Sequence, residues 1–116
     1  MNIKETWDTY ALSWKVKTLL EKQAMFEKCL DLNCNYTSPI INTKGWDALS
    51  AHMLDFHKKI PGGYFSTTYF LEHNSRSIAR WNLLNDNDVI LGDGISYCEY
   101  NSIGRLKVMT GFFEID

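Results

Sequence analysis

The stretch YFSTTYFLEHNSRSIARWNLL, residues 64–84, decides the fold. Ahead of it, apolar residues recur at helical spacing; from Tyr64 onward the period drops to two. Residues 64–73 are rich in aromatic and β-branched side chains. Asn74-Ser75-Arg76 is a turn signal, and 77–84 takes up the alternation again, so the stretch predicts a β-hairpin. In its second arm Ala79, Trp81 and Leu83 share one face, and Arg80 projects from the other. Downstream, Asn85-Asp86-Asn87-Asp88 is a second turn. Residues 89–100 form a long strand weakened by Gly92 and Gly94, where a bend or bulge is expected. Asn101-Ser102-Ile103-Gly104 turns again, and 105–115 is the last strand.

Upstream the reading is helical. Trp7, Tyr10, Ala11 and Trp14 are spaced i, i+3, i+4, i+7 and form one stripe of a first helix. A second helix covers 18–30, with Leu19, Leu20, Phe26, Cys29 and Leu30 on its buried side and Glu21, Lys22, Glu27 and Lys28 on its wet side. Residues 31–39 read as a turn and a short strand centred on Asn35-Tyr36-Thr37, ended by Pro39, which cannot donate to a ladder. Residues 42–45 read as a loop. A third helix spans 46–59, with Trp46, Leu49, Met53, Phe56 and Ile60 at helical spacing, and Pro61-Gly62-Gly63 stops it.

The order is α-α-β-α-β-β-β-β, an α+β chain without repeats or linker. At 116 residues it is expected to form one domain, 1–116. Three helices folded onto the concave face of one bent antiparallel sheet leave a cleft between the two layers. The convex face then stays open, which points to a homodimer through the sheet face.

Composition narrows the partners. Aromatics are 14% of the chain, with tryptophans at 7, 14, 46 and 81, more ring surface than a small closed core needs. The net charge of −2 and scattered Lys and Arg argue against nucleic acid, which would need a basic stripe. No apolar run approaches the roughly 18 residues of a membrane span, and residues 1–8 are too polar for a signal peptide. Cysteines at 29, 34 and 98, an odd number without CxxC spacing, fit reduced thiols and a cytoplasmic location. His52 and His57, five apart, diverge on a helix, and no HExxH pattern is present; neither a metal nor a cofactor is expected.

A set of short motifs carries a resemblance. Trp7-x-x-Tyr10, Tyr36-Thr37-Ser38-Pro39, Gly45-Trp46, Pro61-Gly62-Gly63, Ala79-Arg80-Trp81, and Gly104-Arg105-Leu106 leading to Gly111-Phe112-Phe113 follow one another in order. Together they resemble the nuclear transport factor 2-like superfamily, in its SnoaL-like branch, related to ketosteroid isomerases and limonene epoxide hydrolases. The resemblance implies a cone, a curved antiparallel sheet wrapped by three helices, commonly dimeric through the sheet.

The resemblance does not supply the chemistry, because this fold hosts enzymes, binding modules and structural partners. In ketosteroid isomerases a carboxylate base precedes a proline after the second helix; the matching place here is Ser38. The protonated acid of the oxyanion site falls near Ser96, and the tyrosine donor matches Tyr10. The acid-arginine-acid set of epoxide hydrolases falls on Trp81, Leu83 and Gly111, none of which activates water. For a cyclase-type acid the candidates are Asp93 and Glu99, whose parity sets them opposite Ser96, away from the cavity.

Each candidate has a bland reading beside the functional one. Tyr10, Trp14, Met53, Phe56, Trp81 and Phe113 line a pocket or simply pack a core. Gly111 leaves room for a ligand or for a neighbouring helix. His73 is an acid/base or an ordinary strand-end residue. Arg80 suits a dimer contact, and His52, Asp55, His57, Lys58 and Lys59 read as a solvated helix face. Two functions follow. One is a binding domain for a small hydrophobic or aromatic molecule, with Tyr10, Trp14, Ser38, Met53, Phe56, Trp81, Ser96, Gly111 and Phe113 around it. The other is an isomerase or cyclase moving a proton next to a carbonyl, with Tyr10 as donor and His73 as acid/base.

Overall fold

The hairpin at residue 74 forms as its sequence dictates. In the computed structural model, which describes residues 1–115, strands β3 (Tyr64–His73) and β4 (Arg76–Leu84) pair antiparallel. Asn74 and Ser75 take φ of 47° and 59°, the left-handed pair that closes a two-residue hairpin in step with strand twist. β5 (Ile90–Tyr100) and β6 (Leu106–Phe112) complete the meander. Ahead of it lie helices α1 (Ile3–Ser13), α2 (Leu19–Cys29) and α3 (Trp46–Lys59), with β1 (Leu30–Ser38) and β2 (Ile41–Lys44) between α2 and α3.

One six-stranded sheet results, in the order β2-β1-β6-β5-β4-β3. Every pairing is antiparallel except β1 with β6, which is parallel, so the sheet is mixed. Bulges bend it: β3 skips Thr68 in its pairing with β4, and β5 skips Leu91 next to Gly92. Each extra residue kinks its strand and adds twist, which curls the sheet around the helices.

Three local expectations are corrected. Residues 42–45 are not a free loop, since 41–44 form edge strand β2, held by the Asn35 amide donating to Asn42 Oδ1 and to the Thr43 carbonyl. No turn separates α2 from β1: Leu30 is already extended, at φ −114° and ψ 142°. The buried stripe of α2 is Lys22, Phe26 and Cys29, while Leu19 and Leu20 are exposed. Leu20 lies off that i, i+4, i+7 line, and Leu19 sits in the first turn at the end of the helix layer.

Lys22 is thus a core residue rather than a wet one. It is 0% exposed, and its Nζ donates to the Ser13 carbonyl (2.9 Å) and the Val16 carbonyl (2.6 Å), with His57 Nε2 at 3.0 Å. An ammonium has three protons, and three acceptors meet it. Ser13 ends α1 and Val16 follows it, where orphan carbonyls and the negative end of the helix dipole favour a cation; α1 has no basic residue of its own in its last turn. Burial pulls the Lys22 pKa down to about 8. The other large, fully buried side chains are apolar, with Phe26, Leu49, Met53, Leu106 and Met109 all at most 1% exposed. Cys29, Cys34 and Cys98 are buried free thiols, pushed by burial up to about 12, 11 and 12.

Candidate functional site

The curl of the sheet leaves two adjoining spaces under the helices, both walled by Trp14, Tyr36, Phe65, Trp81 and Phe113. The deeper one, a niche of about 40 Å³, adds Trp7, Tyr10, Ala11, Ser96 and Gly111. The outer chamber, about 300 Å³, opens past Phe56, Ile60 and Leu83 to a rim of His52, Asp55, Lys59, Asp93 and Glu114. Three hundred cubic ångströms is the low end of small-ligand pockets, and forty holds little more than a water or a methyl group.

Each wall residue is placed by its element. Trp81 sits on the concave side of β4; its Nε1 donates to Ser96 Oγ on β5 at 3.0 Å. The indole lies flat because position 94 is glycine: a Cβ there would come within 2.4 Å of the ring. Phe65 meets Trp81 edge-on at 4.9 Å and Trp14 at 5.3 Å, and stacks on Phe56 at 5.4 Å. Tyr36, on the paired part of β1, stands 5.6 Å from Trp14. Phe113, one residue past β6, closes the other side, 6.2 Å from Trp81.

The wall is electrically quiet. Burial raises the Tyr10 hydroxyl well above its ordinary pKa, and the neighbouring Tyr36 hydroxyl adds to the rise. Burial takes Tyr36 up to about 12. His52 is half-buried, with its ring against the edge of Trp14 and 5.8 Å from Tyr36; burial lowers its pKa, favouring the neutral imidazole.

Of the residues singled out in the sequence, the fold brings Tyr10, Trp14, Trp81, Ser96, Gly111 and Phe113 together around the niche, and Phe56 to the outer chamber. Met53 is elsewhere, 0% exposed in the core with its sulfur 4.0 Å from Ser13 Oγ. Ser38 ends β1 at the hairpin, where its Oγ accepts from the Ile40 amide at 3.3 Å, and it is not on the wall. His73 is placed away from Tyr10 altogether. It ends β3, exposed, its Nδ1 3.0 Å from the Asn74 amide, in a shallow groove with Leu71, Ile78 and Tyr97. The hairpin turn carries it out past the end of the cavity, so it cannot serve as acid/base to Tyr10.

Three wall residues were not anticipated. Neither α3 histidine lies on a solvated face: His52 lines the chamber, and His57 packs against Lys22. His52 is one turn before Phe56, so the i, i+4 spacing was a usable signal. Tyr36 was visible as a strand centre, with nothing to say which way it pointed. Phe65 was hidden by the bulge at Thr68, which puts odd-numbered residues inward before it and Phe70 inward after it. Among the described residues no group of three or more His, Cys, Asp or Glu comes together as a metal-binding cluster.

The chain matches no family model, and no curated protein matches it in sequence. Solved structures do match in shape. One from Agrobacterium tumefaciens, described as an isomerase of the SnoaL-like family, has 18% identity and a TM-score of 0.88, covering 97% of each chain. A nuclear transport factor 2-like protein from Cytophaga hutchinsonii, its function unknown, has 10% identity and a TM-score of 0.74 over 98% of this chain and 91% of that one. A Sinorhizobium meliloti protein described as a polyketide cyclase has 6% identity and a TM-score of 0.74 over 92% and 93%. The chain therefore has the nuclear transport factor 2-like fold, the α+β cone of a curved sheet wrapped by three helices. Its outline follows that of the SnoaL-like Agrobacterium protein over nearly its full length.

Proposed function

We propose that the niche and chamber together bind a small hydrophobic or aromatic molecule, and that holding it is the task of the domain. The observation that carries this is the unbroken wall of Trp14, Tyr36, Phe65, Trp81 and Phe113 around an open space of about 300 Å³, with no carboxylate or imidazole among the residues lining the niche at Tyr10. Such a wall gains from apolar burial and offers little to move a proton with. Thermal-shift and tryptophan-fluorescence titrations against a panel of hydrophobic ketones and substituted benzenes test it. Saturable stabilisation by at least one of them is expected; none by any member removes the reading.

A second reading, proton transfer next to a carbonyl, is favoured by one feature: the His52 imidazole faces the chamber beside Tyr36. With His73 outside the cavity, the base would be His52 and the carbonyl donor Tyr10 or Tyr36. Deuterium uptake from solvent into a bound ketone, lost in His52→Ala, would establish it. No uptake across the panel leaves binding alone.

The outer face of the sheet supports a homodimer. Tyr69, Leu71, Ile78, Ile95 and Phe112 are exposed there on adjacent strands, a run of apolar surface that a second copy would cover. A monomer by light scattering at micromolar concentration would remove this proposal. Among the described residues no helix is long and apolar enough to cross a membrane. The three unpaired thiols support a reducing compartment, with the cytoplasm as the proposed location.

A further inference from the structure

We infer that the chamber selects an organic cation, a tertiary or quaternary ammonium carrying apolar or aromatic groups. The inference rests on the chamber being a ligand site and goes further by assigning the charge of the ligand. Two independent features converge on it, the ring wall and the rim.

Aromatic faces carry the negative part of the ring quadrupole and attract cations within about 6 Å of the centroid, tryptophan most strongly. The wall contains two tryptophans, Trp14 and Trp81, with Tyr36, Phe65 and Phe113 beside them. It has few acceptors to offer an ordinary ammonium. Deeper in, at the niche, Ser96 Oγ already receives the Trp81 N–H at 3.0 Å. A primary amine brings three N–H donors to a wall whose acceptors are the Tyr36 hydroxyl and the neutral His52 ring, whereas an alkylated ammonium has few or none to satisfy.

The charges at the rim point the same way. Lys59 is neutralised by Asp55 at 3.1 Å. His52 is half-buried and favours the uncharged form. The remaining groups, Asp93 and Glu114, are carboxylates with no ion-pair partner among the described residues, and both are exposed at the opening. Arg80 on β4, over the Tyr69 ring at 5.7 Å, shares the outer sheet face and a groove with these two carboxylates without forming an ion pair to either, so one positive charge stands against two negative ones. An incoming ligand therefore meets a rim of net negative charge first and the aromatic wall second. That sequence attracts a cation and repels an anion.

Three probes of similar size separate the possibilities: benzyltrimethylammonium, its neutral carbon isostere neopentylbenzene, and benzenesulfonate. Binding is read by tryptophan fluorescence and calorimetry on the intact chain. The cation is expected to bind about tenfold more tightly than the isostere, with the sulfonate weakest. Exchanging both exposed rim carboxylates (Asp93→Asn with Glu114→Gln) should shrink that ratio severalfold, as should added salt, without disturbing the fold. If the neutral isostere binds as tightly as the cation, or the sulfonate binds best, the charge assignment is overturned while the ligand site stands. If none of the three binds, the ligand site itself fails, and the assignment with it.

Discussion

His52 and His57 sit five residues apart on α3 and live in opposite surroundings. His52 faces an open, ring-lined chamber in which nothing is charged until the rim. His57 faces the closed junction of three helices, against the Lys22 ammonium, and its Nδ1 is buried without a hydrogen-bond partner. At the junction polar groups are concentrated around the Lys22 ammonium, which meets three of them; in the chamber they are thinned out and space is left. The difference teaches where this small domain keeps its rigidity. Lys22 ties the end of α1, the body of α2 and the face of α3 into one unit, and that unit holds the roof of the chamber at Trp14 and Phe56 in place.

Breaking the junction should therefore cost most. Lys22→Met strips a partner from two buried carbonyls and His57, and a loss of about 3 kcal/mol is expected, read as a fall in Tm of roughly 10 °C. Next comes the chamber wall itself. Gly94→Ala sets a methyl 2.4 Å from the Trp81 ring and close to the Phe112 carbonyl, so the indole must leave its seat. About 2 kcal/mol of destabilisation should accompany a shifted tryptophan emission and weaker ligand binding.

Acid sharpens the comparison. Burial lowers the folded pKa of both histidines, and at His57 the adjacent Lys22 charge adds to it. The unfolded chain then takes up more protons than the folded one, so stability is full above the unfolded value of about 6.5 and falls as pH drops below it. Urea midpoints measured from pH 7 to 5 should decline. His57→Gln should flatten part of that slope, and a chamber ligand should alter only the part due to His52. A smaller effect is expected from Ser96→Ala, which leaves the Trp81 N–H without its acceptor, about 1 kcal/mol by chemical denaturation. His73→Ala, at an exposed strand end, should change stability by no more than about 0.5 kcal/mol and leave ligand titrations as they were.

Much of this architecture is legible in the residues. The switch from helical spacing to alternation at Tyr64 marks the hairpin, and the stripe of Trp7, Tyr10 and Trp14 marks the buried face of α1. Both are local patterns set by side-chain period. What periodicity misses is pairwise. Lys22 reads as solvent-facing because no local rule foresees that carbonyls at the end of another helix will meet it. Strand β2 reads as loop because its ladder is made with β1 and reinforced by the Asn35 side chain. The site divides in the same way. Trp81 and Ser96 are found by parity, on β4 and on the regular stretch of β5 past its bulge at Leu91, whereas the bulge at Thr68 separates Phe65 from His73 on β3, so that counting by two across it no longer tells inside from outside.

The sealed thiols give the molecule a use of its own. Cys29, Cys34 and Cys98 lie at most 1% exposed, and burial keeps them protonated at neutral pH. Since thiolate is the form that reacts, a disulfide reagent should modify them only in chains that have opened. Cys98 on β5 and Cys29 at the end of α2 would then act as internal clocks, timing separately how often the sheet and the helical layer part.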